Sequence, residues 1–201
     1  MSFKHRNENL TTPSILGADL QRDASMLYEA ASFEDWCPAA YLADYYARVE
    51  PDEQHTLRFL VRQFKKISGN PVALEFGIGP TLHHLIPLSP HVREIHAADF
   101  VVSNLAEVRK WQDRERGAHD WTAFTEAVLR YEGRSVPGSA AIRHREDLTR
   151  GLITRLLVCD AGRPAPLGPR AMPLYPCILS CYCADSVTQD RVTWPATWRI
   201  S

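Results

Sequence analysis

The chain has 201 residues, of which 45% are apolar and 23% charged, with 23 Lys and Arg against 24 Asp and Glu. That is the size and make-up of one globular domain, or of a domain with a terminal extension, and it argues against global disorder. A net charge of −1 leaves no electrostatic footprint for nucleic acid, and no stretch approaches the ~18–20 apolar residues of a membrane span.

Residues 1–19 are polar and irregular and lack the apolar segment of a secretory signal, so a cytoplasmic chain is expected. A helix is predicted over about 22–33, and residues 1–35 are read as an N-terminal extension with a lid helix. The remaining 36–201 are read as one domain. Pro38 suits the first turn of a helix that places Tyr41 and Tyr45 on one face. Pro51, Asp52 and Glu53 open a stronger helix, in which Leu57, Leu60, Val61, Phe64 and Ile67 recur at helical spacing. Lys65 and Lys66 lie in its last turn, and Gly69-Asn70 stops it.

The period then changes. Val72-Ala73-Leu74-Glu75-Phe76 is a short apolar run with the length of a buried strand, followed by a turn over 77–81 and a short helix over 82–88. A second strand runs over 94–98 and closes at Asp99. Helices are predicted over 103–115, with Leu105, Val108 and Trp111 inward, from an Asp120 cap to Tyr131, and over 142–153. A third strand spans 155–159 and ends at Asp160; a Pro-rich loop over 161–174 leads to a fourth strand over 177–181. Strands alternating with helices predict an α/β fold with a mostly parallel sheet.

Three acid-bearing loops thus follow three strands: Glu75 with Gly77-x-Gly79, then Asp99, then Asp160. In open parallel sheets ligands bind outside the carboxyl ends of the strands, and an acid after the second strand can accept both hydroxyls of a ribose. A nucleoside ligand fits this pattern, either a dinucleotide or S-adenosylmethionine. The dinucleotide fingerprint wants a third Gly where Leu82 stands, and Pro80 removes one N–H donor from the helix start, so the spacing leans toward S-adenosylmethionine. Five cysteines is an odd number, which predicts reduced thiols and no disulfide framework. Cys177, Cys181 and Cys183 lack Cys-x-x-Cys spacing and would share one strand face, where core packing is their expected role. His83 and His84, read as neighbours on a helix, would point apart, so no metal site is predicted.

Leu74-Glu75-Phe76-Gly77-Ile78-Gly79-Pro80-Thr81 resembles the first-strand motif of the nicotinamide, phenylethanolamine, thioether and indolethylamine methyltransferases. Other pieces resemble that family in the same order: Tyr41-Leu42-x-x-Tyr45-Tyr46, Asp99-Phe100 with Asn104-Leu105, Trp111 with Asp120-Trp121 and Tyr131-Glu132-Gly133, Cys159-Asp160 with Pro166-Leu167-Gly168, and the run from Leu179 to Asp185. The resemblance implies a Rossmann-like class I methyltransferase fold and transfer of a methyl group from S-adenosylmethionine to a small amine or N-heteroaromatic acceptor.

It also implies roles. Tyr41 and Tyr46 close over the cofactor, Gly77 and Gly79 face its methionine portion, and Thr81 bonds its carboxylate. Asp99 holds the ribose with Asn104 in support. Asp160 and Ala161 meet the adenine, Cys181 lies beside the methionine portion, and Asp185 is the catalytic residue near the acceptor. Family members often carry Tyr where this chain has His83.

After the fourth strand the family continues through a helix, a fifth strand and an antiparallel pair, whereas here only 186–201 remain. Pro195 interrupts that tail, which shows no helical face. A C-terminally shortened domain is therefore expected, with the fourth strand an exposed edge prone to self-association. A cofactor-binding or inactive remnant is the second reading, and an NAD-dependent oxidoreductase the third.

Overall fold

A computed structural model describes residues 36–163, 165–168 and 174–183. The expected extension and lid helix over 1–35, Asp185 and the tail lie outside the described residues.

Helix α1 (Pro38–Tyr45) and helix α2 (Pro51–Phe64) both begin on a proline, whose fixed φ favours the first turn. Asp52 and Glu53 sit in the first turn of α2, where they meet the positive end of the helix dipole. Leu57, Leu60, Val61 and Phe64 are its buried stripe, and the left-handed backbone of Gly69 and Asn70 turns the chain into the sheet.

Strand β1 (Val72–Phe76) is buried throughout. Beyond it, residues 80–84 form an irregular turn. A single helical turn, α3 (Leu85–Leu88), follows and runs on into a 3₁₀ turn over Ser89–His91, in place of the helix expected over 82–88. The hydroxyl of Thr81 donates to the Ile78 carbonyl at 2.9 Å and so completes a turn of its own before the helix starts.

Strand β2 (Glu94–Asp99) leads to α4 (Val102–Gln112), which buries Leu105, Val108 and Trp111 as the pattern requires. That helix ends three residues short of expectation, at the left-handed backbone of Arg114. The N-cap of helix α5 (Thr122–Tyr131) is Trp121 and not the expected Asp120, which precedes it and accepts the Thr122 N–H on its carboxylate at 2.9 Å. Helix α6 (Ser139–Leu152) starts three residues earlier than expected and runs directly into β3 (Ile153–Val158). Strand β4 (Cys177–Leu179) stops two residues early, so Cys181 and Cys183 do not share a strand face with Cys177.

The four strands are parallel in the order β3-β2-β1-β4. Pairing runs from Val72 opposite Glu94 to Phe76 opposite Ala98, and β4 sets Cys177, Ile178 and Leu179 against Ala73, Leu74 and Glu75. This is the α/β fold with a parallel sheet that the alternating pattern predicts, and it is consistent with the Rossmann-like fold that the resemblance implies.

Because strand side chains alternate, successive residues feed opposite faces. Ala73, Ile95, Ala97, Leu156 and Val158 join the helices in the larger core; Leu74, Phe76, Ala98 and Cys159 form a smaller one under Leu167 and Tyr175. The chain lays β1, β2 and β3 outward in one direction and then returns to place β4 on the other side of β1. The switch point is therefore at the carboxyl ends of β1 and β4, where a ligand crevice is expected. Among the described residues no helix is long and apolar enough to cross a membrane.

Candidate functional site

A cavity of about 600 Å³ opens at that switch point. All ten described residues that the sequence reading assigns to a cofactor line it: Tyr41, Tyr46, Gly77, Gly79, Thr81, Asp99, Asn104, Asp160, Ala161 and Cys181. Asp185 lies outside the described residues.

The floor is the turn after β1. Gly77 and Gly79 both adopt left-handed backbone, with φ of +75° and +63°, which side chains disfavour. The N–H groups of Gly77 and Ile78 donate to the Ala98 carbonyl at 2.8 and 3.0 Å, pinning the turn to the end of β2. Gly79 N–H donates to Asp99 Oδ2 at 2.7 Å. The other carboxylate oxygen of Asp99 accepts from Val101 N–H at 2.8 Å and Asn104 Nδ2 at 2.9 Å.

Asp99 is thus first a brace between the glycine turn and α4. A carboxylate offers about four acceptor positions, and three are used. Burial pushes its pKa up, while the three hydrogen bonds favour the ionised form. Asn104 is fully engaged: it donates to Asp99, and its Oδ1 accepts Trp36 Nε1 at 2.7 Å. It therefore ties an aromatic wall to the acid.

Trp36, Tyr41 and Tyr46 make that wall, with ring centroids 5.0 and 5.6 Å apart along the series. Tyr41 also packs on Tyr45 at 5.0 Å, the shared face that the i, i+4 spacing predicts. Tyr46 is buried against Trp121, Phe124 and His83, and that burial drives its phenol pKa far up. His119 Nε2 donates to the Tyr46 carbonyl at 3.0 Å and anchors the end of α1.

On the opposite rim Asp160 accepts Gly162 N–H and pairs with Arg163, each at 2.9 Å. Its carboxylate organises its own loop, and residues 160–162 line the cavity. Cys181 and Cys183 reach the cavity from the loop after β4, and the Ser180 hydroxyl anchors that loop to the Phe76 carbonyl at 2.9 Å.

The sequence reading missed two groups of lining residues. Trp36 gave a signal in its position just before Pro38, beside the tyrosines. The second group is His83 and His84, each paired with an acid that does not itself line the cavity. His83 and His84 do not point apart: their ring centroids are 3.8 Å apart, because they lie in the irregular turn before α3 and not on a helix. His83 Nε2 is 3.1 Å from Glu53 of α2, and His84 Nδ1 donates to Glu75 of β1 at 3.1 Å.

Two buried imidazoles this close do not both carry a positive charge. Burial, with the neighbouring His84 charge, pushes His83 down to about 4. Burial also opposes charge on His84, but Cys181 and Glu75 outweigh it and raise His84 to about 10. Burial works to raise the Glu53 carboxyl, yet the two histidines hold it below the usual range.

Residues 24–199 match the NNMT/PNMT/TEMT family. Nicotinamide N-methyltransferase of Sus scrofa is 32% identical over 165 residues, covering 78% of this chain and 61% of that protein. Indolethylamine N-methyltransferase of Mus musculus is 29% identical over 173 residues, 83% of this chain and 64% of its own length. Phenylethanolamine N-methyltransferase of Bos taurus is 28% identical over 189 residues, 89% of this chain and 65% of its length. The chain therefore spans a little under two thirds of these relatives, and within that span it belongs to the NNMT/PNMT/TEMT family.

Proposed function

We propose that this chain transfers a methyl group from S-adenosylmethionine to the nitrogen of a small amine or N-heteroaromatic acceptor. The observation that carries this reading is the cavity itself: a braced glycine turn, a buried acid at the end of β2 and an aromatic wall, at the switch point of a parallel sheet. The residues present fit the cofactor. A Cβ added at Gly79 would meet nothing within 4 Å, so the turn leaves open space where a ligand can approach the backbone. Asp99 keeps one acceptor position for a ribose hydroxyl beyond its three internal bonds.

Gly77, Gly79 and Thr81 would hold the methionine end, Asp99 the ribose, and Ala161 with the backbone beside Asp160 the adenine. When bound, the sulfonium supplies an already activated methyl group. The protein's work is to align an acceptor lone pair and keep water out. Trp36, Tyr41 and Tyr46 exclude water, and their ring faces favour a cationic centre. Asp185, two residues beyond the cavity-lining Cys183, is proposed to position or deprotonate the amine. The names of the three relatives give the acceptors to try: nicotinamide, phenylethanolamine and indolethylamine.

Calorimetric titration of S-adenosylmethionine and S-adenosylhomocysteine into the intact chain, followed by a radiolabelled methyl-transfer screen over those amines, tests the proposal. Binding that Asp99→Ala abolishes, together with labelled product, is the expected result. A folded chain that binds neither compound, or that binds NADH instead, overturns it.

A further inference from the structure

Among the described residues six buried side-chain N and O atoms lack a hydrogen-bond partner, and five of them belong to one cluster: Glu53 Oε2, Glu75 Oε2, both ring nitrogens of His83, and His84 Nε2. Native proteins rarely leave such atoms unsatisfied, because each forfeits its bonds to water. Five together, on side chains drawn from α2, β1 and the turn before α3, mark a place built to receive something. His83 is 1% exposed and His84 5%, so bulk water does not complete them.

We propose that Glu53, His83 and His84 bind one divalent transition-metal ion of the zinc type, with Glu75 orienting His84. The three side chains each bring a donor atom within 4.8 Å of the others. Two imidazoles and a carboxylate are a donor set that zinc takes when it keeps a fourth position open. His83 and His84 line the cavity, so that position faces it.

The supporting contact is also present. A metal-ligating His usually gives its other ring N–H to a carboxylate, which fixes the tautomer and turns the bare nitrogen to the metal. His84 Nδ1 donates to Glu75 Oε1 at 3.1 Å, and its Nε2 is the atom left without a partner. His83 Nε2 and Glu53 Oε2 lie 3.1 Å apart, a separation that two donors of one tetrahedral ion can share. The electrostatics agree. Two carboxylates, Glu53 and Glu75, face the two rings, a negatively charged setting that suits a cation. An ion would displace the proton on His84, as ligation requires an unprotonated imidazole. The donors all come from the protein, so ion binding can be read with no cofactor added.

The test uses the intact chain after chelator treatment and dialysis. Zinc chloride is titrated against a competing chromogenic chelator, and by calorimetry in buffers of different protonation enthalpy. One ion per chain, bound with net proton release, is expected. Glu53→Gln and His83→Gln should abolish binding, and Glu75→Gln should weaken it by about 10–100-fold. The cobalt-loaded unmodified chain, which needs no variant to fold, should show tetrahedral d–d absorption without a thiolate charge-transfer band. No stoichiometric binding overturns the proposal. So does a cobalt–thiolate band, or loss of binding in Cys181→Ser with Glu53→Gln unaffected, since either places the ion on the neighbouring Glu75, His84 and Cys181. Methyl transfer is not read in any arm, so failure here is separate from failure of the proposed function.

Discussion

Gly77 and Gly79 stand two residues apart in one turn, and replacing each by Ala separates what the turn does for the fold from what it does for a ligand. A Cβ at Gly77 would lie 2.4 Å from both Cβ and Sγ of Cys183. The Cβ of Cys183 is not the free end of a flexible side chain, so the loop after β4 must move. Left-handed backbone costs a non-Gly residue ~1–2 kcal/mol, and overpacking of this kind adds about 1–3 kcal/mol. Gly77→Ala should therefore cost about 2–5 kcal/mol, a loss of roughly 4–20 °C in Tm for a chain of this size. Gly79 has the same handedness of backbone, with φ of +63°, but its added methyl meets nothing. Only the conformational cost remains, so Gly79→Ala should lose roughly 2–8 °C. Its methyl projects into the cavity, where it should lower S-adenosylhomocysteine affinity by about tenfold or more, the equivalent of 1.4 kcal/mol. Scanning calorimetry and ligand titration on both variants decide the matter. Equal thermal losses, or an undiminished affinity in Gly79→Ala, would refute the reasoning.

Three further outcomes follow from the geometry. Asp99→Asn keeps the size of the side chain but turns an NH₂ onto either the Gly79 N–H or the pair from Val101 and Asn104; about 1–3 kcal/mol lost in urea unfolding is expected, together with cofactor binding. Arg145→Ala should cost about 3–5 kcal/mol, because it strands Glu132, which accepts two 2.7 Å bonds from that guanidinium, and frees the Ile86 carbonyl from its 3.2 Å contact. For pH, the two histidines act in opposite senses. His83, lowered to about 4, makes the unfolded state bind more protons between pH 4 and about 6.5, so stability rises with pH there by about 3 kcal/mol; His84, raised to about 10, is charged only in the folded state from about 6.5 to 10, so stability falls by about 5 kcal/mol across that window. Chemical unfolding across the range should show a maximum near pH 6.5, and His84→Gln should remove the alkaline limb; an unchanged alkaline limb would contradict the ion pair with Glu75.

The sheet was legible because its signals are local. Val72 to Phe76 is an apolar five-residue run between a Gly-Asn stop and a Gly-x-Gly turn, and the observed β1 has those bounds. Helices α1 and α2 were legible from the prolines at their starts. Helix α3 was not, because the side chain of Thr81 competes with the backbone for the Ile78 carbonyl, and propensity carries no sign of that exchange. The end of β4 was misplaced for a related reason. Cys177 to Cys181 reads as one apolar run, but pairing with β1 stops at Glu75, and beyond it the Ser180 hydroxyl caps the Phe76 carbonyl.

The site shows the same division between residue type and partner. Composition and spacing picked out Asp99, and the structure shows how one carboxylate can serve two ends. Its three internal bonds tie Gly77-x-Gly79 to the start of α4, and the residue lines the cavity. Spacing gave Glu53 a place in the first turn of a helix and Glu75 one near the end of a strand, but it joined neither acid to the histidines. A pattern search along the chain finds neighbours in sequence, and on a regular helix two consecutive residues diverge by about a quarter turn or more. Here the turn at 80–84 is not helical, so the rings of His83 and His84 lie against one another at a tilt, and the tertiary fold brings an acid to each. The departure that delays α3 is thus the same one that assembles the buried acid–imidazole chain. Restoring a regular helix through 82–88 would separate the two rings, at the expense of the cluster's geometry.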